Sequence, residues 1–181
     1  MPKINILLLL LSLLFVTNSQ SQSNKTIETV GDINQIAIPA AALVTTLILK
    51  DKKGMWDFAK SYGTTFVITR VLKKVIKKSR PDEPWSFSSF PSGHTSSAFS
   101  GASFIQRRYG WKYGAPAYVL AAFTGYSRVK VRRHYTIDVL AGAAIGIGST
   151  YIFTTPYQKE HYQVTFSNKN DSYLVGFIYK F

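Results

Sequence analysis

Apolar residues recur along this chain in blocks that polar and charged residues separate. The block from Ile36 to Leu49 is almost wholly apolar and ends at the charged segment Lys50–Gly54. A longer mixed block runs from Met55 to Lys78, with large apolar side chains three or four residues apart. Such spacing is typical of a helix that buries one face. The pattern therefore predicts two helices in the first half of the chain.

The second half of the chain continues the alternation. Three prolines within residues 81–91 predict a loop over Arg80–Ser92, because proline lacks a backbone N–H donor and restricts the residue before it. Small residues near the end of the chain (VLAGAAIGIG) suit close helix packing. The expected fold is all-α, a bundle of about five or six helices. Three of these helices are predicted in the second half, over Thr95–Tyr109, Ala115–Tyr126 and Tyr135–Phe153.

The last residues change to a period of two, which is the period of a β-strand. Gln163–Ser167 and Ser172–Phe181 are predicted strands on either side of a polar turn. A single hairpin cannot close a membrane barrel, so a hairpin that packs on the bundle or pairs with a partner is expected. His161 matches no motif and is expected to be structural or exposed. The predicted units are a helical domain over residues 30–157 and a hairpin tail over 160–181.

The N-terminus has the pattern of an export signal. Lys3 precedes a short apolar run, Ile4–Val16, and small polar residues follow over Thr17–Ser23. The apolar run is shorter than the roughly 20 residues that cross a bilayer. Residues 1–20 are therefore predicted to be a signal peptide, with an uncleaved N-terminal anchor as the alternative.

Charge narrows the choice of partners. The chain has 181 residues, no cysteine and a formal net charge of +13. Disulfides and thiol chemistry are excluded, and anionic lipids or other phosphorylated envelope components are expected partners. Nucleic acid is not expected, because no nucleic-acid-binding fold pattern is present and much of the charge lies near the motifs described below.

The apolar blocks leave the membrane question open. They are short for full spans and long for amphipathic surface helices, so an integral membrane bundle and a soluble or peripheral protein are both considered. Basic residues flank the blocks on both sides, so the positive-inside rule does not determine orientation. Trp85, Phe87 and Phe90 are expected either to contact an acyl or prenyl chain or to plug one end of the bundle.

A histidine and an aspartate lie four residues apart at the start of the last predicted helix. Asp138 is the sole acidic residue from Pro84 through Lys159. Residues four apart share a helix face, so Asp138 is expected to accept a hydrogen bond from one nitrogen of His134 and leave the other free to attack. A surface ion pair at helical spacing is the alternative for this pattern taken alone.

The tetrapeptide PSGH at residues 91–94 combines a helix break with a helix start. Pro91 and Gly93 interrupt regular structure just before a predicted helix. Unpaired N–H groups at a helix N-terminus attract anions, the Ser92 hydroxyl adds a donor, and His94 is positioned to protonate a leaving oxygen. An ordinary Ser/Gly cap with an exposed histidine is the alternative.

Lys73 and Arg80 add two cations upstream. An ammonium is a compact point charge, and a guanidinium binds phosphate oxygens in pairs. Both residues belong to a basic cluster, so a solvated basic face is the alternative for this segment alone. Together with His94, His134 and Asp138 they suit phosphoryl transfer through a phospho-histidine.

These segments resemble the motifs of the type 2 phosphatidic acid phosphatase (PAP2) superfamily, which includes class A acid phosphatases and vanadium haloperoxidases. The first motif, Lys, six residues, Arg-Pro, matches residues 73–81, and Pro-Ser-Gly-His matches 91–94. The third, Ser-Arg, five residues, His, three residues, Asp, matches 127–138. No motif position departs from the pattern. Three ordered motifs with matching spacing are far more specific than any one of them.

The resemblance implies a role for each motif residue. His134 is the expected nucleophile, Asp138 its orienting partner, and His94 the general acid and the base for the incoming water. Prepositioned donors around the phosphoryl oxygens are the main device of this chemistry. No group of histidines and carboxylates suggests a metal site, so metal-independent chemistry without a cofactor is expected. The expected phosphate cradle comprises Lys73, Arg80, Ser92, Gly93 and Arg128.

The leading functional hypothesis is a phosphatase for lipid phosphates or diphosphates of the bacterial envelope. A soluble periplasmic acid phosphatase for small esters and a vanadate-dependent haloperoxidase are the enzymatic alternatives. A basic membrane-binding module is the non-enzymatic alternative. The expected location is the inner membrane with the active site facing the periplasm, or a peripheral position in the periplasm. The lipid itself and the oligomeric state are left open.

Overall fold

The computed structural model describes residues 24–157, 162–169 and 172–179. This part of the chain forms five helices and a two-stranded sheet. The predicted all-α bundle with a C-terminal hairpin is therefore confirmed. In chain order the elements are α1 (Asn24–Ile48), α2 (Lys52–Ile76), α3 (Gly93–Tyr109), α4 (Trp111–Lys130), α5 (Thr136–Phe153), β1 (Tyr162–Lys169) and β2 (Ser172–Tyr179).

The helices alternate in direction because short connections join most of them. Gly110 alone separates α3 from α4, and a short turn ending at Asp51 joins α1 to α2. One end of the bundle therefore collects the N-termini of α1, α3 and α5 and the C-termini of α2 and α4. The longer connection over residues 77–92 lies at this same end, since it leads from the end of α2 to the start of α3.

Several helix boundaries differ from the prediction, among them the start of α1, the end of α2 and both ends of α4. α1 begins at Asn24 rather than Ile36, because buried positions at Ile27, Gly31 and Asn34 continue the helical face of the apolar block. α2 ends at Ile76, where Lys77 adopts a left-handed conformation with φ 47° and ψ 45°. The earlier start of α1 adds a polar first half to an apolar helix.

The central helix is α3, which packs against each of the other four helices. Ala98, Ala102 and Phe104 on this helix are fully buried. Polar side chains share the interior with them: the hydroxyl of Thr69 donates to that of Ser96 at 3.1 Å. Side chains this small let the helix backbones approach closely.

Two glycines determine how closely α5 crosses α3. A Cβ atom at Gly142 would lie 2.6 Å from the carbonyl oxygen of Ser92, and one at Gly146 would lie 2.6 Å from that of Ser96. Real Cβ atoms do not approach so closely, so larger residues would push the helices apart. The first turn of α5 is thereby held beside the first turn of α3.

The outer faces of α1 and α5 remain apolar. Ile36 and Leu47 on α1, and Leu140 and Ile152 on α5, are exposed. Both helices are long and apolar enough to cross a membrane, by length and composition alone.

The hairpin pairs β1 with β2 in antiparallel register, with Tyr162 opposite Tyr179. Both predicted strands are confirmed within the described residues, and Tyr173 and Val175 on β2 are exposed. The signal peptide predicted over residues 1–20 and the prediction for His161 lie outside the described residues. The division into a domain over 30–157 and a tail over 160–181 stays a prediction.

Candidate active site

The three motif segments meet at the end of the bundle where α3 and α5 begin. Lys73 lies in the last turn of α2, His94 in the first turn of α3, and His134 in the turn before α5. These three residues and Arg80 line a cavity of about 360 Å³. A second hollow of about 280 Å³ is lined by Arg80, both histidines and Arg128. The two imidazoles therefore share a space large enough for a phosphate group.

The main chain orients His134. Its Nδ1 donates a hydrogen bond of 2.7 Å to the carbonyl oxygen of Ser89, and the residue is only 4% exposed. Its Nε2 has no hydrogen-bond partner among the described residues. Burial and the charges of Lys73 and Arg80 lower the pKa of His134 to about 3. At neutral pH the ring is therefore uncharged, with one nitrogen held and the other free to attack.

Asp138 does not accept a hydrogen bond from His134, and the direct contact predicted from the sequence is absent. Oδ2 of Asp138 and Nδ1 of His134 are 4.0 Å apart, which is too long for a hydrogen bond. Lys78 Nζ instead donates to Oδ1 at 2.7 Å, and the Ser89 hydroxyl donates to Oδ2 at 2.6 Å. The reason is that α5 begins after His134, so the pair does not share a helix face. Asp138 holds the Ser89 side chain, and its charge also acts directly on the His134 ring across 4.0 Å.

A carboxylate from α1 bridges two motif residues. Oδ1 of Asp32 accepts from Nε2 of His94 at 2.9 Å and from Nη1 of Arg128 at 2.8 Å. Burial and the charge of Arg128 lower the pKa of His94, while Asp32 acts in the opposite direction. An anionic oxygen at this point thus meets an imidazole and a guanidinium together.

Arg128 is almost completely engaged by the protein. It is 2% exposed, and its Nη2 donates to the carbonyl oxygen of Glu28 at 2.7 Å. Its Nε donates to the Ser127 hydroxyl at 3.0 Å. Gly31 allows this approach of α1, because a Cβ atom there would lie 2.6 Å from Nη2 of Arg128. A phosphate oxygen that contacts Arg128 must therefore lie beside Asp32 or displace it.

Lys73 and Arg80 are the less saturated cations of the site. Nζ of Lys73 donates to the carbonyl oxygen of Ser88 at 2.6 Å, and burial together with Arg80 lowers the pKa of Lys73 to about 8. Nε of Arg80 is buried and has no hydrogen-bond partner in the described part of the chain. A buried unpaired donor costs about 1–3 kcal/mol. The arrangement therefore favours an anion in the cavity.

Residues of the PSGH segment contribute both to the N-terminal cap of α3 and to the lining of the cavity. The Ser92 hydroxyl accepts from the Thr95 hydroxyl at 2.9 Å and caps α3, and Ser92 is fully buried. It lines neither of the two hollows, so the predicted contact of this hydroxyl with phosphate is not evident. Gly93 does line the larger cavity, where a Cβ atom would make only ordinary contacts, the nearest with Lys73 at 3.7 Å.

Sequence reasoning missed three residues of the site: Glu28, Asp32 and Ser89. The first two carried a usable signal, because they are acidic residues four apart on a largely apolar helix and need cationic partners. Arg133 supplies one, with Nε donating to Glu28 at 3.0 Å. Ser89 carried no usable sequence signal, because it contacts His134 through a backbone carbonyl, a group that every residue has.

The site does not contain the side chains of an ordinary metal centre. In residues 24–157 and the two strands, no group of three or more His, Cys, Asp or Glu side chains is placed to hold a metal ion. Each histidine has one carboxylate neighbour, Asp32 or Asp138, and the cations Lys73, Arg80 and Arg128 outnumber these carboxylates. Such surroundings favour an anion over a divalent cation.

Comparison with known proteins agrees with the motifs. A model of the PAP2 superfamily matches residues 54–162. A lipid A 4'-phosphatase of Helicobacter pylori is 30% identical over 169 residues, which cover 85% of this chain and 85% of that protein. A lipid A 1-phosphatase of Porphyromonas gingivalis is 45% identical over 71 residues, 38% of this chain and 16% of that protein. The family match starts after α1, so Glu28 and Asp32 lie outside it.

A solved structure has the same helical fold. The crystal structure of Aquifex aeolicus LpxE superimposes with a TM-score of 0.64 at 23% sequence identity. The superposition covers 80% of this chain and 92% of that chain. At this identity the likeness establishes the fold alone.

Proposed function

The chain belongs to the PAP2 superfamily and is a phosphatase, and we propose that it hydrolyses membrane-lipid phosphates through a phospho-histidine at His134. One observation carries the proposal: the unpaired Nε2 of a neutral His134 shares a cavity with Lys73 and with the unpaired Nε of Arg80. A nucleophile with a free lone pair and cationic donors beside it are what transfer of a phosphoryl group requires.

The first chemical step transfers the phosphoryl group to the protein. Nε2 of His134 attacks phosphorus while the bond from phosphorus to the ester oxygen breaks. Protonated His94 gives its proton to that oxygen, and the alcohol leaves. A phosphate dianion beside His94 raises its pKa, as Asp32 does, so substrate binding itself favours the protonated acid.

The second step restores the protein. His94, now neutral, accepts a proton from a water molecule as that water attacks phosphorus, and the bond to Nε2 of His134 breaks. Inorganic phosphate leaves and both rings return to their starting forms. Neither step requires a metal ion, so we expect full activity in the presence of a chelator.

Different cationic groups bind different oxygens of the phosphoryl group. Lys73 and Arg80 line the larger cavity beside His134 and bind the oxygens there. Arg128 lines the adjoining hollow with His94, near the side on which the leaving oxygen departs. The N-terminus of α3 at Gly93 adds its positive dipole end.

The relatives and the outer faces of the helices support a lipid substrate. The two relatives are named as lipid A phosphatases, and the similarity to the first of them covers 85% of this chain. The exposed apolar faces of α1 and α5 suit a bilayer, which would hold a lipid headgroup at the helix ends. We propose an envelope membrane location with the site facing the periplasm. No observation favours small esters or haloperoxidase chemistry over a lipid substrate.

The decisive experiment measures phosphate release from a panel of lipid phosphates and water-soluble esters in detergent with a chelator present. We expect lipid substrates to be hydrolysed with much higher kcat/KM than soluble esters. Rapid quenching at high pH should preserve an acid-labile phosphoryl adduct, and mass spectrometry should locate it on His134.

Two results would overturn parts of this proposal. A preference for soluble esters would remove the lipid assignment, while an adduct on His94 or on no residue would remove the assigned nucleophile. His94→Ala is the informative companion variant, since loss of its acid and base should alter turnover without removing the site of the adduct.

A further inference from the structure

Three exposed cations lie beside the catalytic cavity at the end of α2, and we call them the basic ridge: Arg70 and Lys74 on the helix and Lys77 directly after it. A hollow of about 680 Å³ lies against it. Arg70, Lys73 and Ser88 line both this hollow and the catalytic cavity, so the two spaces adjoin. The hollow is lined by the ridge together with Lys73, Phe87 and Ser88.

Among the described residues, no carboxylate compensates the charge of the ridge, whereas neighbouring cations have acidic partners. Lys78 contacts Asp138 and Arg133 contacts Glu28, whereas no described carboxylate pairs with any ridge residue. Arg70 only lies over the ring of Phe66, at 4.9 Å from its centroid. Like charges three or four residues apart destabilise a helix. The helix dipole offsets this only within the last turn, and Arg70 precedes that turn.

Aromatic side chains border the same hollow. Phe87 lines it and is 59% exposed, and nearby in the chain Trp85 is 78% exposed. With Phe90, these residues were predicted either to contact an acyl or prenyl chain or to plug the bundle end. The exposure of Trp85 and Phe87 argues against the plug for these two, whereas Phe90 is half-buried. A surface that combines cations with exposed aromatic side chains suits a ligand whose anionic group lies close to a hydrocarbon chain.

We infer that the basic ridge is a second phosphate subsite, which binds a phosphate group on the same lipid headgroup whose other phosphate enters the catalytic cavity. This inference rests on the proposed lipid phosphatase function. Lys73 and Lys74 are neighbours in the last turn of α2, and Lys73 lines both hollows, so the ridge begins at the edge of the catalytic cavity. The two phosphates are thus carried by one headgroup. The relatives' names, a 1-phosphatase and a 4'-phosphatase of one lipid, describe a lipid phosphorylated at two positions.

Binding tests the subsite separately from catalysis. The His134→Ala protein in zwitterionic nanodiscs is titrated with a glycolipid that bears two phosphates and with the same glycolipid bearing one. Three nearby unit charges in a mostly aqueous setting correspond to about a tenfold preference for the doubly phosphorylated lipid. The variant Arg70→Gln/Lys74→Gln/Lys77→Gln should abolish that preference. The charge-matched control, Lys52→Gln/Lys60→Gln/Lys112→Gln, changes exposed lysines elsewhere and should retain it.

Each outcome bears on a different claim. Equal affinity for the two lipids, or a preference that survives in the ridge variant, overturns the subsite. If the ridge variant instead loses binding to anionic nanodiscs without changing the preference, the ridge binds bulk anionic lipid and the subsite assignment is wrong. The protein with intact His134 is assayed on both lipids. If it hydrolyses neither lipid but the binding preference is retained, the proposed activity is overturned and the subsite remains supported.

Discussion

The two ends of the bundle use the same kinds of residue in opposite ways. At the end away from the catalytic cavity, Arg108 is fully buried and donates two hydrogen bonds to Asp51, at 2.7 and 2.6 Å. Asp51 also accepts from the Gly54 N–H and the Tyr109 hydroxyl. At the catalytic end, Arg80 leaves a buried donor unpaired and His134 leaves a ring nitrogen free.

The comparison distinguishes buried charges that stabilise the fold from buried charges that can bind a substrate. Burial raises the pKa of Asp51, but hydrogen bonds from Arg108, Gly54 and Tyr109 outweigh it and lower the pKa overall. The Asp51 carboxylate is thereby saturated by contacts within the protein. The catalytic end keeps binding capacity at a cost in folding free energy, and an arriving phosphate recovers that cost.

The largest expected effect is at the catalytic end. His134→Ala should lower kcat by at least about 10⁴-fold, because the covalent step loses its nucleophile. The unfolding free energy should change little by comparison, since the ring makes one hydrogen bond. Phosphate release and denaturant unfolding measure the two quantities. Near-normal turnover in this variant would remove His134 from the chemistry.

The closed end should show the reverse pattern. Asp51→Asn leaves Arg108 buried without its counter-charge and should cost about 3–5 kcal/mol of unfolding free energy. Activity per folded molecule should be unchanged, because Asp51 lies at the other end of the bundle. Denaturant unfolding in detergent, with turnover normalised to folded protein, checks this. A large loss of specific activity in well-folded protein would contradict the separation of the two ends.

An intermediate effect is expected at Asp32, which links α1 to the site. Asp32→Asn should lower kcat about 10- to 100-fold, through loss of charge-assisted hydrogen bonds to His94 and Arg128. The pKa of His94 should fall as well, so the alkaline limb of the pH–rate profile should move to lower pH. Glu28→Gln is the matched control, because the Glu28 side chain pairs with Arg133 rather than with His94. If the alkaline limb of the pH–rate profile does not move in Asp32→Asn, the role of Asp32 is structural only.

The smallest effect is a pH dependence of stability. The pKa of His134 is about 3 in the folded protein, below its ordinary value of 6.5. Below pH 6.5 the unfolded chain therefore takes up a proton that the folded chain does not, and stability falls towards acid pH. Lowering the pH from 6.5 to 5.5 should cost about 1 kcal/mol through this group. The cost should be smaller in His134→Gln, and equal pH dependence in both proteins would contradict a buried neutral ring.

Much of the site could be predicted because its residues lie in short local motifs. Lys73, Arg80, His94 and His134 were identified from spacing and chemistry, and the structure brings them to one cavity. The direct contact of Asp138 with His134 was wrong, because the pattern assumed that both lie on one helix. The start of α1 was also misplaced, because its first half is polar and its partners are distant in sequence.

The sequence by itself determined the helices, the three motifs and the identity of the groups that handle phosphate, because each depends on residues close together in the chain. Only the tertiary structure decided which cations remain unpaired. Arg108 and Arg80 look alike in sequence, but one meets a carboxylate 57 positions away and the other retains a buried donor with no partner. That distinction depends on contacts between distant segments, and no local pattern encodes it.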